Sequence, residues 1–466
     1  MSDAPDTPIE PPRLAETFAE AEDALLSRWP ETRLEPSLDR IRAFTELLGD
    51  PQRTYPVIQL TGTNGKTSTS RMIDTVLRAL DLRTGRFTSP HLERMNERIC
   101  IDGEPLTDEE FVRAFNDVAP YTHLVDVSQP HPLSFFETVV GMAYAAFADA
   151  PVDVAVVEVG MGGAWDATNV ADAAVAVVTP IGVDHASYLG TSPGEIAVEK
   201  SGIIKPGSVA VLAEQTLEAA EVLLARCAEV EATAVREGLE FGVSSRVPAV
   251  GGQVLSLQGL RARYDEVFLP LYGAHQAQNA ALALASVEAF LGEDPLGEDL
   301  VREAFAAMTS PGRLEIIRRS PMILLDAAHN PHGAEATAAA LEDSFAFSPL
   351  IGVVGVMTDK DAEGVLAVLE PHLAHIVCTQ NSTARALPAA ELAVVAREVF
   401  GPDRVSVAPR LADAIDEGTA LAEAGEAVQS SGSSIGAGAV LVTGSVVTVG
   451  EARTLLRRRA PREAGS

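Results

Sequence analysis

Short apolar runs alternate with helical patterns along most of the chain, the signature of an α/β fold with a mostly parallel sheet. Tyr55–Leu60 reads as a buried strand. Lys66–Leu80 reads as the helix after it, with Met72, Ile73, Val76, Leu77 and Leu80 on one side. Ser134 with Glu137 three residues on forms a capping box that opens a further helix. Val152–Val159 and Ala173–Val178 are Val-rich and bounded by Gly or Pro, so they read as central strands covered on both faces. The stretch from Val209 to Leu271 reads as short strands and turns, and Gln276–Leu291 as an Ala-rich helix.

Thr309-Ser310-Pro311-Gly312 has linker composition, and the alternation restarts after it. Met322–Leu325, Leu350–Gly355, His375–Thr379 and Val440–Thr443 are the strands expected of a second, smaller α/β domain. The predicted organisation is a disordered tail over 1–15, a first domain over 16–309 and a second over 310–466, with a loose surface loop at Gln429–Gly438.

Charge narrows the possible partners. Across 466 residues, Lys plus Arg total 35 against 66 Asp plus Glu, a formal net charge of −31. Such a chain is repelled by nucleic acid and by anionic membranes, so neither is an expected partner. Cys100, Cys227 and Cys378 form no CxxC, which fits a reducing compartment and no zinc site. No basic-then-apolar leader and no membrane-length apolar run is seen, and the reading is a cytoplasmic monomer acting on small molecules.

The strongest motif is Thr61-Gly62-Thr63-Asn64-Gly65-Lys66-Thr67-Ser68, set between a strand and a helix. Two glycines allow a tight turn whose amides face phosphate oxygens; the helix N-terminus and Lys66 add positive potential. Leu60 stands where a full Walker motif has its first glycine, so this is a shorter variant.

Three further positions suit magnesium. Glu158 closes a Val-rich strand at the end where α/β sheets hold ligands. His185 follows the next strand, which is expected to bring it beside Glu158 over neighbouring strands. Ser89, in Thr88-Ser89-Pro90-His91, reads by its local sequence as a turn residue before proline, with a hydroxyl that could serve as a third ligand. By its local sequence, Glu199-Lys200-Ser201-Gly202, Lys200 reads as a solvated helix lysine.

These segments taken in order resemble the bacterial folylpolyglutamate synthase/dihydrofolate synthase family, folate ligases of the Mur ligase superfamily. The resemblance also covers Asn96-Glu97-Arg98, Glu158-Val159-Gly160-Met161-Gly162-Gly163, Asp166-Ala167-Thr168-Asn169, Asn279-Ala280-Ala281, Pro311-Gly312-Arg313, Asp326-Ala327-Ala328-His329-Asn330-Pro331 and Thr443-Gly444-Ser445. It implies an N-terminal P-loop ATPase domain with a smaller Rossmann-like C-terminal domain. It implies that Gly62, Thr63, Asn64, Gly65, Lys66, Thr67 and Ser68 bind ATP phosphates, with Asn279, Arg313 and Asp326 reaching ATP across a domain cleft. It makes Ser89, Glu158 and His185 ligands of two Mg²⁺ sites, and Lys200 a lysine that CO₂ carbamylates into a further ligand. Arg98, His329 and Ser445 fall at positions associated with incoming glutamate, and Phe135, Phe136, Glu137 and Asp166 in the pterin-binding region. Ala164 stands where the family usually has a basic residue, and Thr67 is nearer the Mur form of the loop.

The implied chemistry is ATP-dependent joining of L-glutamate to dihydropteroate or tetrahydrofolate through an acyl phosphate. Lys66, Lys200 and His185 are its expected catalytic residues. A Mur-type ligase acting on a muramyl peptide is the nearest alternative, and a P-loop ATPase without ligation a more distant one. The few residues before the first strand leave no room for the uridine-nucleotide domain of the former.

Overall fold

The computed structural model describes residues 14–30, 36–292, 294–429 and 437–459. Most of the expected 1–15 tail and the 430–436 part of the expected surface loop lie outside these residues. Ala15, placed in that tail, is instead buried and exchanges both backbone groups with the Asn116 side chain at 2.8 and 2.9 Å.

The first sheet contains β1 (Val57–Thr61), β2 (Thr84–Phe87), β3 (Ile99–Ile101), β4 (Glu104–Pro105), β5 (Val154–Glu158), β6 (Val175–Val178), β7 (Val209–Leu212) and β8 (Thr233–Arg236), in the order β4-β3-β2-β5-β1-β6-β7-β8. It is parallel from β2 to β8, with β3 and β4 added antiparallel at one edge. Every residue of β1 and β5 is buried, as near-continuous apolar runs demand of strands covered on both faces. The helix Lys66–Ala79 packs on the helix Ala274–Leu291, and its Met72, Ile73, Val76 and Leu77 share one buried core with Ala277, Ala280 and Leu284. Each such burial of a large apolar side chain contributes roughly 1.5–3 kcal/mol.

One expectation about this sheet fails. β5 and β6 are consecutive in sequence but are not neighbours, because β1 lies between them and pairs with both. His185 also lies well beyond the end of β6, in a left-handed conformation (φ 52°) before the short helix Ala186–Leu189. The stretch from Val209 to Leu271 is richer than strands and turns. It contains the helix Leu217–Glu229, whose buried Ala219, Leu223 and Cys227 recur every fourth residue. It ends in an antiparallel sheet of β9 (Gly242–Ala249), β10 (Gly252–Gln258) and β11 (Arg263–Leu269).

The C-terminal sheet has β12 (Glu315–Arg319), β13 (Met322–Leu325), β14 (Phe347–Val354), β15 (His375–Gln380), β16 (Val405–Arg410) and β17 (Ala437–Thr443) in the order β12-β13-β17-β14-β15-β16. Only β12 is antiparallel. Arg453 ties the two domains by bonding both Glu93 and Glu315, and Thr454 donates to Glu93 at 2.7 Å. Among the described residues no helix is long and apolar enough to cross a membrane.

Candidate active site

The glycine loop leaves β1 at Thr61 and enters the helix at Lys66. Gly62 (φ 138°) has no room for a side chain, since a Cβ there would sit 1.9 Å from Thr179 Oγ1. Gly65 (φ 91°) faces Asn279, whose Oδ1 would be 2.6 Å from a Cβ. The amides of Thr63 and Asn64 are taken by the Pro180 carbonyl at 3.0 and 3.4 Å. The donors left for phosphate are the first-turn amides of the helix, which have no partner within it.

Two lysines converge on this loop. Lys66 Nζ donates to the carbonyls of Gly62 (3.0 Å) and Thr63 (3.3 Å), and Lys200 Nζ donates to Gly62 at 2.9 Å. Lys200 is therefore no solvated lysine: it is 4% exposed. Burial, then the nearby Lys66 charge, lowers its pKa to about 7. Burial also lowers Lys66, against the pull of Glu158. Glu158, 1% exposed, accepts from the Thr67 hydroxyl at 2.9 and 3.1 Å, and burial raises its carboxyl.

A cavity of about 170 Å³ opens over the loop. Its walls bring together all seven loop residues Gly62–Ser68 with Ser89, Glu158, His185, Lys200, Asn279, Arg313 and Asp326. Asp326 serves the architecture as well, accepting from Leu314 N–H, Ala328 N–H and the Thr337 hydroxyl at 2.7–3.0 Å.

A second cavity of about 500 Å³ adjoins the first, and Ser89, Pro90, Gly160, Met161, His185 and His329 line both. Phe136, Glu137, Asp166 and Ser445 line it, as do Trp165 and Tyr188. Asp166 holds the surrounding loop by accepting from Met161 N–H and Thr168 N–H at 3.0 Å, and burial raises its pKa to about 6. Glu137 caps its helix and pairs with Arg40 at 3.0 Å. Ser445 Oγ accepts from Val447 and Thr448 N–H.

Two residues of the expected substrate set are not on this wall. Arg98 is 4% exposed, donates to His91 Nδ1 at 3.1 Å and stacks over the Phe135 ring at 4.9 Å, and Phe135 is itself buried. Neither lines a described cavity.

Other residues at the site escaped the sequence reading. Lys360 Nζ lies 2.6 Å from Asp184 Oδ1 and 3.5 Å from His185 Nε2. Asp184 also accepts from Asn330 at 3.2 Å and faces His329 at 3.5 Å. Although burial opposes it, the His329 contact and the Lys360 charge hold the Asp184 carboxyl well below its usual range. Burial and then Lys360 push His185 down to about 4. Asn64 of the loop reaches His332 at 2.9 Å and Asn330 at 3.2 Å across the cleft. The rule that singled out Glu158 could have found Lys360, a charged residue soon after the apolar β14.

Comparison with known proteins agrees with this layout. The models of the Mur ligase middle domain and of the Mur ligase glutamate ligase domain match residues 122–287 and 312–434. A Mycobacterium tuberculosis protein named dihydrofolate synthase/folylpolyglutamate synthase is 50% identical, over 95% of this chain and 94% of its own. The Escherichia coli protein of that name is 32% identical over 72% of this chain and 75% of its own. Among solved structures, Mycobacterium tuberculosis folylpolyglutamate synthase complexed with ADP superposes with TM-score 0.90 at 51% identity, covering 94% of this chain and 98% of the other. Escherichia coli FolC in complex with DHPP and ADP superposes with TM-score 0.82 at 29% identity, covering 96% and 99%.

Proposed function

The chain belongs to the dihydrofolate synthase/folylpolyglutamate synthase family, and on that premise we propose how its residues share the work. It is an ATP-dependent ligase that joins L-glutamate to a folate-type pterin through an acyl phosphate. The relatives that match along nearly its full length are folate ligases, which disfavours a muramyl peptide as acceptor.

The observation that carries the division of labour is the seam between the cavities at Ser89, His185 and His329. ATP lies in the polar cavity with its γ-phosphate at the seam. The pterin lies in the larger cavity among Phe136, Met161, Trp165 and Tyr188, and presents its carboxylate to the same seam. A carboxylate is a poor electrophile, and phosphoryl transfer to it needs positioning and charge neutralisation more than covalent help. Lys66 and the helix amides hold the phosphates, and Asn279 and Arg313 reach the nucleotide from either side. Ser89 and His329 flank the reacting groups. The amine of glutamate then attacks the acyl carbon, the C–O bond to phosphate breaks, and phosphate leaves.

The donor set fits magnesium. It offers the Glu158 carboxylate, the Ser89 hydroxyl and a neutral His185 imidazole, whose pKa of about 4 leaves a free lone pair at neutral pH. One carboxylate, one hydroxyl and one imidazole match an ion that keeps waters and binds largely through phosphate, and among the described residues no group of three or more His, Cys, Asp or Glu is arranged to hold a metal ion by itself. When bound, magnesium neutralises charge on the transferring phosphoryl group. Lys200, depressed to about 7, is substantially an amine at neutral pH, the form that adds to CO₂ with loss of a proton to give an anionic carbamate. That carbamate would add a further hard oxygen donor to those of Glu158 and Ser89. The remaining proposals are a boundary at 309/310, a monomer and a cytoplasmic location.

The test is incubation with ATP, glutamate and either dihydropteroate or tetrahydrofolate. ADP release that requires both glutamate and a pterin, with a product heavier by one glutamyl residue, is expected. ADP release independent of the pterin would overturn the reading.

A further inference from the structure

We propose that Arg385 reads the side-chain carboxylate of the incoming glutamate, the substrate with which resemblance associated Arg98. The proposal rests on the ligase reading above. Among the described residues, the Arg and Lys side chains lining the larger cavity are Arg40, Lys360 and Arg385. Arg40 is committed to Glu137 at 3.0 Å with both side chains largely buried, and Lys360 to Asp184 at 2.6 Å with both about one-tenth exposed. Arg385 differs. Its side chain is 48% exposed and meets Asp359, 38% exposed, at 2.9 Å. An exposed pair of this kind contributes little, so a substrate carboxylate can displace Asp359 at small cost.

The backbone under Arg385 is fixed. Met357 and Ala386 form an antiparallel bridge, Thr358 N–H donates to the Arg385 carbonyl at 2.9 Å, and Leu387 N–H donates to the Val356 carbonyl at 2.9 Å. The loops after β14 and β15 are thereby stitched into one wall, on the domain that matches the glutamate ligase model. The attacking amine must sit at the seam, and the α-carboxylate is covalently next to it. Arg385 lines only the larger cavity and not the nucleotide cavity, so it stands where the more distant carboxylate falls. Arg98 cannot do this without leaving Phe135 and His91.

The test measures steady-state kinetics of the parent, Arg385→Ala and Arg385→Lys with ATP, glutamate or glutamine, and each acceptor. Loss of a charge-assisted pair predicts that KM for glutamate rises about 10- to 100-fold in Arg385→Ala. KM for ATP and for the acceptor should stay within about threefold, with partial recovery in Arg385→Lys. Preference for glutamate over glutamine should collapse in Arg385→Ala, because glutamine never had that contact. An unchanged KM for glutamate would overturn the proposal, as would an equal loss on glutamine. A rise confined to KM for a glutamylated acceptor would place Arg385 on the acceptor tail instead. If the parent itself forms no glutamylated product with any pterin, the ligase reading fails, irrespective of Arg385.

Discussion

Lys200 and Gly62 meet through a single hydrogen bond of 2.9 Å, from Nζ to the carbonyl that also accepts from Lys66. Burial disfavours protonation of both amines, and the Lys66 charge on the shared carbonyl lowers Lys200 further. This contact places the Lys200 amine against the phosphate loop, beside the charge that Lys66 already supplies.

The carbamylation proposed for Lys200 predicts a pH signature. Below a pKa of about 7 the side chain is an ammonium without a lone pair, and above it the amine is free. With dissolved CO₂ held at one concentration, activity regained on adding CO₂ to CO₂-stripped protein should return faster as pH rises through about 7. Lys200→Ala should lose at least about 100-fold in kcat, with partial rescue by acetate in the vacated space. Lys200→Arg should not rescue, because a guanidinium forms no carbamate. An Arg variant as active as the parent would mean that the residue acts as a cation.

Lys66→Ala should abolish ligation while the fold survives. Its ammonium bonds only loop carbonyls, so its removal deletes no core packing. The expected loss is about 100- to 1,000-fold in kcat, with the circular dichroism spectrum and melting temperature close to the parent's. Near-normal turnover in a folded variant would remove the phosphate-loop assignment.

Glu158→Gln and His185→Ala should each raise the magnesium concentration needed for half-maximal rate. Glu158→Gln keeps the Thr67 hydrogen bond but loses the charge. Magnesium titrations at saturating ATP and glutamate decide it. Curves that superpose on the parent's for both variants would rule out the ligand set.

The phosphate loop was legible because everything that defines it is local: a buried strand, two glycines, a lysine and a helix within one short segment. Glu158 was legible for a similar reason, as a carboxylate closing an all-apolar strand. That Glu158 and His185 share a cavity was anticipated, but the strand order that puts them there was not. Sequence order makes β5 and β6 consecutive, whereas crossovers insert β1 between them. The burial of Arg98 under Phe135 was also out of reach, since a motif match carries no information on which way a side chain packs. Lys360 follows an apolar strand, a signal that local sequence does carry, but its pairing with Asp184 and the placing of Arg385 come only from docking of the second domain. The helix Leu217–Glu229 differs, because its period of buried Ala219, Leu223 and Cys227 is present in the sequence but short, and it is flanked by strand-like runs.

The last prediction concerns that docking. Asp184 of the first domain accepts from Lys360 and Asn330 of the second and faces His329, while Asn64 reaches His332 and Asn330 beside it. Removing one partner of a poorly exposed ion pair strands the other charge, a loss of about 3–5 kcal/mol when burial is complete and less at the partial burial here. Asp184→Asn should therefore lower kcat and expose the 309–312 linker to limited proteolysis. Lys360→Met should do likewise, and the double variant should lose less than the two single losses combined, with a coupling of about 1–3 kcal/mol. The sign with pH follows from the depressed Asp184 carboxyl. Its stabilisation is fully present above the ordinary value of 3.8 and is lost only as pH falls through the lower folded value. The stability difference between the parent and Asp184→Asn should accordingly stay level between about pH 5 and 8 in urea titrations. A difference that shrinks steadily across that range would show that Asp184 titrates there and that Lys360 does not hold it ionised.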